Sequence, residues 1–120
     1  MCLYEKLESA MQLLKRESRE RLKTGIAFFK QSDYSRAYEH FEDAHILGQK
    51  YIREHTLSHW WMLRVSLRTN DKREFFGQIL RMLASLIFSK IWVPEGNSGR
   101  ASVSALQTMP IPEHLKGYYS

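Results

Sequence analysis

The stretch from Gly25 to Ala44, GIAFFKQSDYSRAYEHFEDA, decides the fold of this chain. Apolar and small residues recur at helical spacing on either side of a polar break, Gln31-Ser32-Asp33. Ser32 or Asp33 can accept a hydrogen bond from the first free amides of the following helix, so the break reads as a turn between two helices. Gly25 and Ala37 are small enough for two antiparallel helices to cross with their backbones close, and Phe28 and Phe41 fill the space beside the crossing. Ala44 and Gly48 prolong the stripe of small residues along the second helix.

On the N-terminal side, Leu3, Leu7, Ala10, Met11 and Leu14 keep helical spacing, and the stripe resumes at Leu22, Ile26 and Phe29 after a charged interval. One long helix from about Leu3 to Phe29 is expected, with room for a break in its charged middle. A second should run from about Tyr34 to Tyr51. A third should run from about His55 to Arg68, burying Trp60, Leu63 and Leu67. Thr69-Asn70-Asp71 punctuates the chain, and Asp71 with Glu74 has capping-box spacing. The fourth helix, about Lys72 to Ser89, is apolar over more than half its circumference and should be central or lie in an interface. Beyond Val93 come Pro94, Gly96, Gly99, Pro110 and Pro112, which break regular structure. Residues 94–120 should therefore form an extended tail wrapped on the helical part, residues 1–93, within a single domain. Pro112 can open a short helical turn through Leu115.

The positions of Gly25, Phe28, Ala37, Phe41 and Ala44 resemble the tetratricopeptide consensus, and Ser32-Asp33-Tyr34 stands where that family has Gly-Asp-Tyr. Arg21 and Thr24 depart from it, as does Phe75 in the second hairpin. The resemblance implies one repeat-like hairpin in an all-α, four-helix antiparallel right-handed array, and not a solenoid, whose units need neighbours to cover their cores. Over more than half its length the chain also looks like a member of an uncharacterised bacterial family, domain of unknown function 3703. The segments that carry this likeness are AHILGQ at 44–49, HTLSHWWMLR at 55–64, GQILR at 77–81 and WVPEGNSGRASVSALQTMPIPEHL at 92–115. It implies a compact helical fold with an extended tail and brings no known activity.

With 120 residues, 43% of them hydrophobic and 26% charged, the chain has an ordinary globular composition. Cys2 has no partner for an internal disulfide, which points to a reducing compartment. The N-terminal residues lack the apolar run of an export signal, and Arg81 and Lys90 interrupt the most apolar stretch, Ile79 to Val93. A cytoplasmic location without a transmembrane segment follows. The net charge of +5 invites a nucleic-acid reading, but Glu17 and Glu20 dilute the cations of KRESRERLK at 15–23. That pattern suits a solvated, ion-paired helix face and points away from nucleic acid.

Histidines carry the strongest hint of chemistry. Glu42 and His45 stand three apart on the second helix, and His55 and His59 four apart on the third. Each pair shares a helix face, and the connection between the helices is short, so the faces can meet. Three imidazoles and a carboxylate suit zinc or another divalent transition metal. His45 and His59 also border apolar stripes and suit core residues bonded to Glu42, Gln49 or backbone carbonyls, and such clusters in helical hairpins are more often structural than ligating. Gln49, Trp60 and Arg64 are candidates for a supporting shell or an exposed surface. GNSG at 96–99 lacks the context of a phosphate loop, and no nucleophile is paired with a base. The leading expectation is a protein-interaction or self-association module, with a partner protein or a second copy on the fourth helix. A metal-binding or metal-sensing role is the alternative, and a small enzyme ranks third.

Overall fold

The computed structural model of the protein describes residues 2–88, 99 and 109–119. They are all-helical, with no strand among them: α1 (Leu3–Lys30), α2 (Tyr34–Gly48), α3 (Ile52–Arg68), α4 (Lys72–Phe88) and a terminal 3₁₀ helix (Glu113–Tyr119). No helix among the described residues is long and apolar enough to cross a membrane. α1 is continuous for 28 residues, through the charged middle where a break had room to occur. α3 starts earlier than the spacing predicts, at Ile52, which places His55 inside the helix.

Short polar turns join the helices. Asp33 caps α2 by accepting the Arg36 amide at 3.2 Å, and Ser32 takes a left-handed backbone with φ 61°. Asp71 likewise accepts the Glu74 amide at 3.0 Å, but the Glu74 side chain turns inward to Gln78 and Tyr38 and does not close the box.

α1 packs on α2, α2 on α3 and α3 on α4. At the α1–α2 crossing, Phe29, Ala37, Tyr38, Phe41, Met62 and Val65 form a buried cluster. A methyl group on Gly25 would collide with the Phe41 ring and stand 3.2 Å from the Ala37 carbonyl. Phe41 is fully buried and has nowhere to retreat. Gly25→Ala should therefore destabilise the fold by about 1–2 kcal/mol, the overpacking cost outweighing the better helix propensity of alanine. Denaturant unfolding checks this, and an unchanged midpoint would mean that the crossing can relax.

A second three-way contact pins the start of α3. A methyl on Gly48 would stand 2.6 Å from both Ser18 Oγ and Glu54 Cβ. Ser18 Oγ donates to the Ala44 carbonyl at 2.8 Å, and buried Glu54 accepts from Arg19 Nε and Nη2 at 3.2 and 3.0 Å. His55 follows Glu54 directly, so this contact helps to place it.

Two burial expectations are corrected. Trp60 is 44% and Leu67 60% exposed, while Trp61 packs on the core instead. Adjacent residues point about 100° apart on a helix, so a one-residue misreading of the stripe exchanges the two tryptophans. Of the two places expected for α4, the centre is excluded and an interface stays open: it packs on α3 and leaves Phe76, Leu80, Leu83, Leu86 and Ile87 more than half exposed. At the C-terminus Ile111, Leu115 and Tyr118 pack against Leu14, Ile46 and Leu47, and His114 Nε2 meets Asp43 Oδ1 at 2.8 Å. The terminal helix runs through Tyr119, past the Leu115 expected from the proline. The tail positions 94–98 and 100–108 lie outside the described residues.

Candidate functional site

His45 on α2 and His55 and His59 on α3 converge in the interior, at 3%, 9% and 2% exposure. His55 Nε2 stands 3.0 Å from His45 Nε2 and 3.1 Å from His59 Nε2. One ligand nitrogen of each ring lies within 4.8 Å of the other two. The i, i+4 spacing stacks His55 over His59 on one face of α3, and the short Gln49–Tyr51 connection brings that face against His45.

Gln78 sets the chemistry of the cluster. Its amide nitrogen donates to Glu74 Oε1 at 2.7 Å and to the Gly99 carbonyl at 2.9 Å, both pure acceptors, so its oxygen faces His59 Nδ1 at 2.6 Å. That oxygen requires a proton on Nδ1, which leaves Nε2 of neutral His59 as a bare lone pair aimed at the other rings. Gly99, with φ +85°, lies so close to the His45 ring that a methyl there would come within 2.8 Å of Cδ2. Glycine is required at this wall both for its backbone angle and for the space.

Burial keeps the two imidazoles of α3 neutral. Desolvation pushes His55 down to about 4. It pushes His59 down to about 3, with the neighbouring His55 and Arg81 acting in the same direction and the Gln78 bond opposing them. Inward nitrogens 3 Å apart repel unless a proton or a cation lies between them. With His59 Nε2 bare, a single proton on His55 Nε2 has two acceptors to serve, and His55 Nδ1 is then a buried atom without a partner. A metal ion would use all three lone pairs at once.

Two of the three separations suit such an ion. Zinc–nitrogen bonds of about 2.0–2.1 Å in a tetrahedron place ligand nitrogens about 3.3 Å apart. The observed 3.0 and 3.1 Å are close to that value.

The remaining candidates are placed differently. Glu42, half-buried on α2, is not part of the convergent group. Gln49 is buried with Oε1 unpartnered. Trp60 is on the surface. Arg64 is on the other side of α3, its guanidinium 4.6 Å from the Trp61 ring centre and 5.3 Å from that of Phe29. Gln78 and Gly99 went unread as site residues. A lone amide inside the most apolar helix is the available signal for Gln78, whereas GNSG at 96–99 marks Gly99 as part of a turn without pointing to the histidines.

The family model described as protein of unknown function (DUF3703) matches residues 12–119. The chain belongs to this family. No curated protein and no solved structure matches it significantly. All three histidines and Gln78 fall within the matched span.

If Gln78 positions His59 for a metal, Gln78→Leu should weaken zinc binding about 10- to 100-fold, as loss of such supporting partners does elsewhere. Gln78→Glu, which keeps the acceptor for His59 but sets its second oxygen against Glu74 Oε1 and the Gly99 carbonyl, should restore only part of it. Competition against a chromophoric chelator measures both, and equal affinity for all three proteins would remove Gln78 from the site.

Proposed function

We propose that this protein binds a divalent transition metal, such as zinc, through His45, His55 and His59. The observation that carries this reading is the convergence of three buried imidazoles, two of them held neutral by burial and one with its tautomer set by Gln78. Neutral nitrogen donors suit zinc and its neighbours in the first transition row and suit magnesium or calcium poorly. The scaffold in this reading is a single tetratricopeptide-like hairpin extended by α3 and α4 into a right-handed four-helix array. A site so deep favours a metal that reports its presence through folding and α3–α4 docking over one that works on a large substrate. Sensing or storage inside the cell is the role we assign.

Untagged protein, purified without chelator, should carry close to one equivalent of metal by elemental analysis, and a His55→Ala/His59→Ala variant should carry none. Absence of metal, combined with no uptake on titration with zinc, copper, nickel or cobalt, would sink the proposal.

The exposed apolar side chains of α4 support a second reading, self-association or a protein partner on that helix. Light scattering across a concentration series tests it, and a strict monomer would argue against the second copy.

A further inference from the structure

Another concave site lies across α3 from the histidines. At 100° per residue, Trp61, Arg64 and Arg68 cluster on the side of α3 opposite His55 and His59. With Phe29, Lys30 and Tyr34, and Ser32 at the turn, they line a half-open groove of about 300 Å³. Its walls are thus three aromatic rings and three cations, with no carboxylate among them.

The aromatic part is well ordered by packing. Phe29 meets Tyr34 and Trp61 edge-on, with ring centres 5.4 and 5.5 Å apart. Arg64 lies over both Trp61 and Phe29, and the Arg68 guanidinium is 5.6 Å from the Phe29 centre. A guanidinium held over a ring keeps the N–H groups at its edge available for a planar or tetrahedral anion.

The charge is also uncompensated. Arg16, Arg19, Lys23, Arg36 and Lys116 each pair with a carboxylate. Among the described residues, the groove cations Lys30, Arg64 and Arg68, like several other surface cations, pair with none. An anion seated among the three cations over the apolar floor is attracted by each of them.

We propose that this groove binds a small ligand in which an aromatic ring carries an anionic group, a molecule of mononucleotide size. The ring meets Tyr34 and the Arg64 plane, and the anion meets Lys30, Arg64 and Arg68. A volume of about 300 Å³ is at the lower end for small-molecule sites, which limits the occupant to one ring system and one charged group.

Calorimetric titration of the full chain at low salt tests this with adenosine monophosphate, indole-3-acetate, adenosine and inorganic phosphate. At least one of the two aromatic anions should bind at least about tenfold more tightly than both adenosine and phosphate, and the preferred one tells a phosphate ligand from a carboxylate. Lys30→Gln and Arg68→Gln, both at exposed positions, should each weaken that binding about tenfold, and added salt should weaken it further. Excess chelator should leave it unchanged, which keeps the result separate from the metal reading. The proposal is overturned if neither aromatic anion binds, if adenosine binds as well as they do, or if the charge removals have no effect. A single-stranded oligonucleotide binding far more tightly than adenosine monophosphate would also overturn it, in favour of a nucleic-acid surface.

Discussion

Zinc at about a thousand times its dissociation constant should stabilise the chelator-treated protein by about 4 kcal/mol, an increase of roughly 15 °C in Tm for a domain of this size. The effect follows from mass action, because the three imidazoles are gathered only in the folded chain. α2 supplies His45, α3 supplies His55 and His59, and α4 supplies the amide that orients His59. Unfolding separates them and leaves isolated histidines with weak affinity. The comparison must be made within each variant, with and without zinc, because replacing a buried histidine also costs stability. In that form the zinc-induced increase should vanish in His59→Ala and persist in His114→Ala, whose imidazole pairs with Asp43 at the surface. An equal increase in both variants would place the ion elsewhere.

Mild acid should destabilise the metal-free protein through its buried histidines. In the fold, burial holds His55 at about 4 and His59 at about 3, whereas in the unfolded chain each returns to about 6.5. The unfolded state therefore takes up protons first as pH falls. The stability contributed by the neutral rings is complete above about pH 6.5 and is lost progressively on acidification towards pH 4 and 3. At pH 5 the loss is about 2 kcal/mol per ring, or about 4 kcal/mol for the two, a large part of the stability of an ordinary domain. Denaturant unfolding at pH 7 and pH 5 measures it. A His55→Ala/His59→Ala variant should show a much flatter profile, and a flat profile in the parent protein would contradict the burial of these rings. Bound zinc should hold stability up at pH 7 and release it as protons compete for the nitrogens.

Much of the helical layout was legible in the residues. The polar breaks at Gln31-Ser32-Asp33 and Thr69-Asn70-Asp71 mark turns because short polar side chains there satisfy backbone groups that a helix end leaves free. Small residues at Gly25 and Ala37 announced a close crossing, and the His45, His55 and His59 spacing announced a shared interior face. Other features were hidden. Ser18 sits in a stretch read as a charged surface, yet it is buried because Gly48 lets α2 approach it. Trp60 and Trp61 are chemically alike, so only packing tells which one faces the core. Glu42 has the correct spacing on α2, but the three histidines meet without it.

Helix positions and facing stripes are written locally, since a 3.6-residue period and a cap involve only neighbours along the chain. The site is not written that way. Gln78 reaches His59 across 19 positions of sequence and Gly99 across 21, and no periodic pattern relates them. Their meeting depends on how closely α3 and α4 pack, which is why the histidines could be nominated from the chain while the tautomer of His59, and the cations gathered around Trp61, waited for the folded arrangement.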